Sequence, residues 1–272
     1  MKIFDYFKKD FSLKKLRNSI YHRIYRFMFS RSYFMEANEE LLYLAFKPRG
    51  YNNDCSGESF FIKKVLSPSN PILCIDIGAN IGIYTSELLE YTDSRVVSFE
   101  PLPSAFQKLS EATKEFKHRV TLENKGIGKD TGNLTIHFNP SALQIASFAE
   151  EVKKISFVTN EQKVTCPVVS LDSYCQEKGI AVIDLVKIDV EGFELEVFEG
   201  ATNTFSKIKP RFIQMEFNWH QLFRNTSLNV FAERLPEYDL YQLIPNGWAK
   251  RDPRDPLTNI YWFSNFVFVR KA

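Results

Sequence analysis

Two stretches of this 272-residue chain combine residue types that can do chemistry. The first is Asp76-Ile77-Gly78-Ala79-Asn80-Ile81-Gly82. Glycines there let the backbone turn tightly and approach a ligand. The helix expected to follow offers free N–H groups to a phosphate or carboxylate. Glu100, followed by Pro101, ends the next apolar run, at a distance where a carboxylate can accept both hydroxyls of a ribose. Loop and acid together point to a nucleoside cofactor. The second stretch is Val186-Lys187-Ile188-Asp189-Val190-Glu191-Gly192-Phe193-Glu194. It delivers Lys187, Asp189 and Glu191 near the carboxyl end of an apolar run, and ligands of open parallel sheets bind outside such ends. Asp189 closes the run, and a carboxylate there needs partners, so it is read as a site residue. Glu194 and Glu196 fit a solvated strand–helix junction that the helix dipole favours.

The elements that must position these residues follow from pattern. Ile72–Ile77 is an apolar run ending in Gly78, the form of a fully buried parallel strand. A helix starts near Gly82 and continues through Ser86–Glu90, a strand spans Arg95–Phe99, a helix Ser104–Phe116 and a strand Val120–Leu122. This alternation predicts βαβ units and a parallel sheet. Gly132-Asn133 is a turn signal before an alternating strand, Leu134–Phe138, and residues 139–163 read as a loop or cap over the sheet. Val164–Leu171, Val182–Ile188 and Phe212–Phe217 are further strands, with helices opening at Asp172 and near Ser227. Leu240–Ile244 and Phe266–Val269 close the chain as an antiparallel pair. The stretch from Tyr51 to Asn70 holds turn residues and one short apolar segment.

Composition bounds the class. Hydrophobic residues make up 44% and charged residues 25%, with 25 Phe and a net charge of +2. These values exclude a wholly disordered chain and a multi-pass membrane protein, and they give no reason for a nucleic-acid partner. Cys55, Cys74, Cys166 and Cys175 form no C-x-x-C pair, so neither a disulfide framework nor a zinc site is expected and a reducing, cytoplasmic setting is favoured. Charge is concentrated at the start, where residues 1–35 carry nine Lys or Arg against Asp5 and Asp10. Within that stretch Leu13, Leu16, Ile20, Ile24 and Phe27 form one apolar helical stripe. The stripe fits an anionic membrane surface on the cytoplasmic side. Packing on the main domain or on a second copy of the chain is the favoured reading, since most amphipathic helices simply cover a core. Arg23 and Arg26 interrupt any apolar run of signal-peptide type. The expected organisation is a basic helical extension, residues 1–50, and one domain, residues 51–272.

The loop also separates two cofactors. A dinucleotide site expects G-x-G-x-x-G, but Asn80 stands where the middle glycine should be and the third glycine is missing. The D-x-G-x-N-x-G form instead resembles the first motif of class I methyltransferases, which bind S-adenosylmethionine. The resemblance extends from Asp76 through Tyr84 and Thr85, to Ser98-Phe99-Glu100-Pro101, Val169-Ser170-Leu171-Asp172, Lys187–Glu194, Glu199-Gly200-Ala201 and the strand ending in Glu216. Over roughly residues 55–220 the chain resembles the FkbM family of S-adenosylmethionine-dependent methyltransferases. The segment Glu216–His220 matches loosely, and residues 1–50 and those after His220 lie outside the match.

The resemblance implies a Rossmann-like α/β fold, with a mostly parallel sheet and helices on both faces. It implies O-methylation of a hydroxyl on a sugar, glycan or glycolipid precursor. The competing readings are an NAD(P)-dependent oxidoreductase and a catalytically silent binding module. On the family reading Asp76 and Asn80 support the amino acid end of the cofactor, within a loop of Gly78, Gly82, Tyr84 and Thr85. Glu100, with Pro101, takes the ribose, and Asn124 faces the adenine. Asp189 is the first candidate for a base or for orienting the acceptor, with Glu191 and His220 next. Lys187 pairs with a carboxylate, and Trp219 offers a stacking face. Glu216, with Asp189, would supply oxygen ligands to a metal, but nothing in the spacing demands an ion, and none is expected. Holding substrates in a near-attack geometry can supply roughly 7–11 kcal/mol against a base contribution of about 10²–10⁴-fold, so positioning should dominate.

Overall fold

The structure is a computed structural model that describes Arg23 and residues 56–271. The chain divides into two units, Met1–Pro48 and Arg49–Ala272, and the elements that follow belong to the second. The expected amphipathic extension, Arg23 apart, lies outside the described residues, as does Cys55.

Residues 56–70, expected as turns with a short apolar piece, are helical instead. Helix α1, Glu58–Phe61, runs on as a π-turn through Ile62–Leu66 and a 3-10 turn at Ser67–Ser69. Phe61, Ile62 and Leu66 are buried, so tertiary packing supplies the helical order that local propensity does not. Strand β1, Leu73–Ile77, is buried throughout and leads through the glycine loop into helix α2, Ile83–Tyr91. Strand β2, Arg95–Phe99, precedes helix α3, Pro103–Ala112, which opens on a proline at its first turn, where the missing N–H is no loss. Strands β3, Val120–Glu123, and β4, Gly126–Ile127, follow.

Strand β5, Gly132–Asn139, takes in Gly132 and Asn133, read from sequence as a turn. Residues 139–163 contain a further strand, β6, Ala142–Ser147, and a 3-10 turn, Glu150–Lys154. Ala, Gln and Ser are weak strand formers; β6 exists because it pairs with β5. Strand β7, Gln162–Val169, ends at Ser170, whose side chain accepts from the Ser173 amide to cap helix α4, Leu171–Glu177. Strand β8 covers only Leu185–Ile188. Val182 is exposed, because Asp184 ends the run and accepts from the Ile72 and Leu73 amides at 2.6 and 3.2 Å. Helix α5, Glu194–Glu199, strand β9, Phe212–Phe217, helices α6, Trp219–Phe223, and α7, Leu228–Ala232, and strands β10, Tyr238–Ile244, β11, Gly247–Arg251, and β12, Ser264–Arg270, complete the unit. The sequence reading found β10 and β12 but not β11, an edge strand half-exposed along its length.

Eight strands form one sheet in the order β11-β10-β12-β9-β8-β1-β2-β3. β3, β2, β1, β8 and β9 run parallel, and β12 lies antiparallel between β9 and β10. This is the expected mostly parallel α/β sheet. Its pleat sends Leu73, Ile75 and Ile77 into a core shared with Phe198, Phe205 and Phe231, and Cys74, Val96 and Leu185 into a core on the other face with Phe61, Tyr84 and Leu88. A smaller sheet, β4-β7-β5-β6, stands beside it. Chain order reverses between β1 and β8, the switch point outside which open parallel sheets bind ligands. Cys74, Cys166 and Cys175 are buried free thiols. Among the described residues no helix is long and apolar enough to cross a membrane.

Candidate active site

The strand register builds the site in two rows. Ser98, Asp76, Lys187 and Gln214 are neighbours across β2, β1, β8 and β9, and all four are buried. Helical residues partner Ser98, Asp76 and Gln214, while Asp76 Oδ1 has no hydrogen-bond partner. Thr85 Oγ1 donates to Asp76 Oδ2 at 2.6 Å and lies 2.8 Å from Ser98 Oγ. Tyr84 donates its hydroxyl to Gln214 Oε1 at 2.7 Å, and Gln214 Nε2 donates to Glu58 Oε1 at 2.9 Å. Two residues further along each strand the same face carries Glu100, Gly78, Asp189 and Glu216, and these line a cavity of about 990 Å³.

The loop after β1 is held from both sides. Gly78 has φ +85, and a Cβ there would stand 1.8 Å from the Asp189 carbonyl oxygen. This glycine lets the two sequence motifs touch. Glu100 accepts from the Asn80 amide through Oε2 and from the Leu102 amide through Oε1, each at 2.8 Å. Burial nevertheless pushes its carboxyl up to about 7. Asn80 Oδ1 is a buried acceptor with no hydrogen-bond partner. Asn124 donates to the carbonyls of Glu100 and Pro101 at 2.8 and 3.2 Å. It braces the acidic turn and is absent from the cavity lining, as are Asp76, Gly82 and Thr85.

Beyond β8 the charges crowd. Lys187 Nζ donates to Asp189 Oδ2 at 2.8 Å, lies 3.9 Å from Glu58 Oε1 and sits over the Tyr84 ring. Burial alone would lower its ammonium's pKa; Asp189, Glu58 and Asp76 outweigh that and raise it. His220 is 1% exposed, with Nδ1 3.0 Å from Glu191 Oε2. Burial would favour the neutral imidazole, and Glu191 overrides it, raising the pKa. Neither ring nitrogen has a well-aligned hydrogen bond. Glu216 is driven well above the carboxylate range, by burial first and then by Asp189 and Glu191. Asn218 caps α6, accepting from the His220 amide, and also donates to Glu216. Glu194 departs from its expected solvated setting: it is buried, accepts from the Gly192 amide and Gln221, and is raised to about 7 by burial. Glu196 pairs with Arg224.

One wall of the cavity is aromatic. Trp219 meets Phe157 at 5.4 Å and Trp262 at 6.3 Å, both edge-on, and Phe263 also lines the space. Leu143, Gln144 and Ile145 of β6 form part of the lining too, so the segment read as a cap is a sheet edge facing the site.

The family model of the methyltransferase FkbM domain matches residues 76–240. The chain belongs to the FkbM methyltransferase family. That membership favours a methyltransferase over the dinucleotide reading. The hexuronic acid methyltransferase AglP of Haloferax volcanii is 30% identical over 57% of this chain and 61% of its own length. The chain thus spans about three fifths of that relative. The 2-O-methyltransferase NoeI of Sinorhizobium fredii is 26% identical over 68% of this chain and 79% of its own. Among solved structures, a methyltransferase from Geobacter sulfurreducens is 12% identical, with a TM-score of 0.43 and 87% of both chains covered.

Of the FkbM chain's expected site residues, Gly78, Asn80, Tyr84, Glu100, Pro101, Lys187, Asp189, Glu191, Glu216 and His220 line one cavity. Sequence reasoning missed Glu58 and Gln214. Gln214 had a usable signal, a polar residue inside an otherwise apolar strand. Glu58 had none, since it reaches the site only by the docking of α1.

Proposed function

We propose that this protein is an S-adenosylmethionine-dependent O-methyltransferase acting on a hydroxyl of a sugar, glycan or glycolipid precursor, and that residues 51–272 form its catalytic domain. The observation that carries the reading is one cavity lined by the glycine loop at Gly78, by Glu100 and by the Asp189–Glu191–Glu216–His220 cluster. The donor set fits the cofactor. Each Glu100 oxygen accepts one backbone N–H and keeps a lone pair for a ribose hydroxyl. The orphaned Asn80 Oδ1 suits an ammonium. Asp76, Thr85 and Asn124 support that loop from behind, and Gly82, Tyr84 and Pro101 shape it.

When bound, the cofactor supplies a methyl group activated on a sulfonium. The chain's residues do the rest. Asp189, anchored by Lys187, orients the acceptor hydroxyl and takes its proton as the carbon–oxygen bond forms. The Trp219, Trp262 and Phe157 wall offers faces to the apolar side of a sugar ring and excludes water. That the relatives AglP and NoeI are named for methylating a hexuronic acid and a 2-O position supports a sugar acceptor. The basic stretch 1–35 is proposed to hold the enzyme at an anionic membrane surface on the cytoplasmic side; co-sedimentation with anionic vesicles at low salt, lost on deleting residues 1–35, is the expected result, and equal sedimentation of both forms would refute it.

The test is calorimetric titration with S-adenosylmethionine, S-adenosylhomocysteine and NAD, repeated on Glu100→Ala. Both adenosyl ligands should bind and weaken by about 1.5–3 kcal/mol in the variant. Binding of NAD alone would overturn the proposal.

A further inference from the structure

Glu191, Glu216 and His220 bring one ligating atom each within 4.8 Å of one another at the cavity wall. Three conditions meet there. The donors are of two kinds, an imidazole and two carboxylates. Among the described residues no Lys or Arg stands within ion-pair distance of Glu191 or Glu216; the nearby ammonium of Lys187 is committed to Asp189 and Glu58. And His220, 1% exposed, has no well-aligned hydrogen bond at either ring nitrogen, although buried polar atoms are nearly always partnered.

We propose that Glu191, Glu216 and His220 bind a divalent transition-metal ion. Two donors on one ion at bond lengths of about 2.1 Å stand roughly 3.0–3.4 Å apart, and Glu191 Oε2 lies 3.0 Å from His220 Nδ1. One nitrogen and two oxygen donors suit Mn²⁺ or Zn²⁺ better than Mg²⁺ or Ca²⁺, which take all-oxygen shells. Three protein ligands leave positions open to the cavity, the arrangement of catalytic sites. Asn218 fixes the shell from outside, donating to Glu216 and capping the helix that carries His220, and Gln221 Oε1 accepts from the Asn218 amide at 2.7 Å.

Resting on the methyltransferase reading, the ion's role is to bind the acceptor oxygen and lower its pKa. The hydroxyl proton passes to Asp189, the oxygen's electron pair forms the new bond to the methyl carbon, and the carbon–sulfur pair stays on sulfur as a neutral thioether. No oxidant or further reactant is required.

The test uses the full chain, stripped of metal by chelation and dialysis, titrated with MnCl₂ while the signal of free Mn²⁺ is followed by electron paramagnetic resonance. One Mn²⁺ per chain should bind, be displaced by Zn²⁺ and raise the unfolding temperature. E216Q and E191Q should each weaken binding by more than roughly tenfold, and H220Q likewise. Glu177→Gln, at an exposed pair with Lys178, should bind as wild type does. Unfolding temperatures and S-adenosylhomocysteine affinity, measured on each variant without metal, show that the fold is kept, and a variant that fails them is replaced by the other two. Absence of saturable binding up to millimolar Mn²⁺, or folded variants that bind as tightly as wild type, would overturn the site. Because adenosyl-ligand binding is measured separately, loss of the metal site leaves the methyltransferase reading intact, and failure of that reading leaves metal binding to stand or fall alone.

Discussion

Glu100 shows what a single residue decides. Its carboxyl is pushed up to about 7 by burial, while two ribose hydroxyls need acceptors. Below that pH the protonated acid presents a donor in place of one acceptor. Affinity for S-adenosylhomocysteine should therefore rise as pH increases from 6 to 8, by up to roughly tenfold per unit below the pKa, and the rise should vanish in Glu100→Gln; calorimetry at three pH values checks both. Gly78 is equally exacting. Gly78→Ala puts a methyl 1.8 Å from the Asp189 carbonyl at φ +85, so stability should fall by more than about 2 kcal/mol in urea denaturation, with adenosyl binding lost. Asp189→Asn should keep cofactor affinity and slow methyl transfer by about 10²–10⁴-fold; loss of affinity with unchanged turnover would reassign it. These residues were legible from type and spacing. Asn124 was legible as a residue at a strand end, but its amide turned to the backbone of the acidic turn, a choice made by local carbonyls and invisible in sequence.

At the scale of elements, strands buried on both faces declared themselves. β1, β2 and β9 are mostly apolar runs, buried throughout except at Arg95, and were read to within a residue. Edge strands did not: β6 and β11 are half-exposed, carry weak strand formers or charge, and exist because a neighbour supplies hydrogen bonds. Helix starts were marked where a cap is chemical. Ser170 accepts from the Ser173 amide at 3.1 Å, and Ser170→Ala should lower stability by about 1 kcal/mol in urea denaturation without moving adenosyl affinity. α1 carries no such mark, since Gly57 precedes it with no side-chain cap.

For the whole molecule, the site concentrates buried carboxylates around few cations. Glu100 and Glu194 are each raised to about 7 by burial, above their value in the unfolded chain. The folded state then holds more protons than the unfolded between roughly pH 4.5 and 7, so stability should fall as pH rises through that window and level off above it. The unfolding midpoint measured from pH 5 to 8 should show this, with a drop of a few kcal/mol at most. Either adenosyl ligand should restore part of it by mass action. By itself the sequence determined the alternating α/β class, the central strands, the cofactor loop with its acid and the Lys187–Glu194 motif, because periodicity and backbone chemistry are local. Tertiary structure alone decided which charges share one cavity. The register that aligns Asp76 with Lys187 and Gln214 depends on strand order. So does the arrival of Glu58 from one face and of His220 from the end of β9. The β6 wall and the meeting of Glu191, Glu216 and His220 depend on it as well, since burial joins residues that chain separation keeps apart.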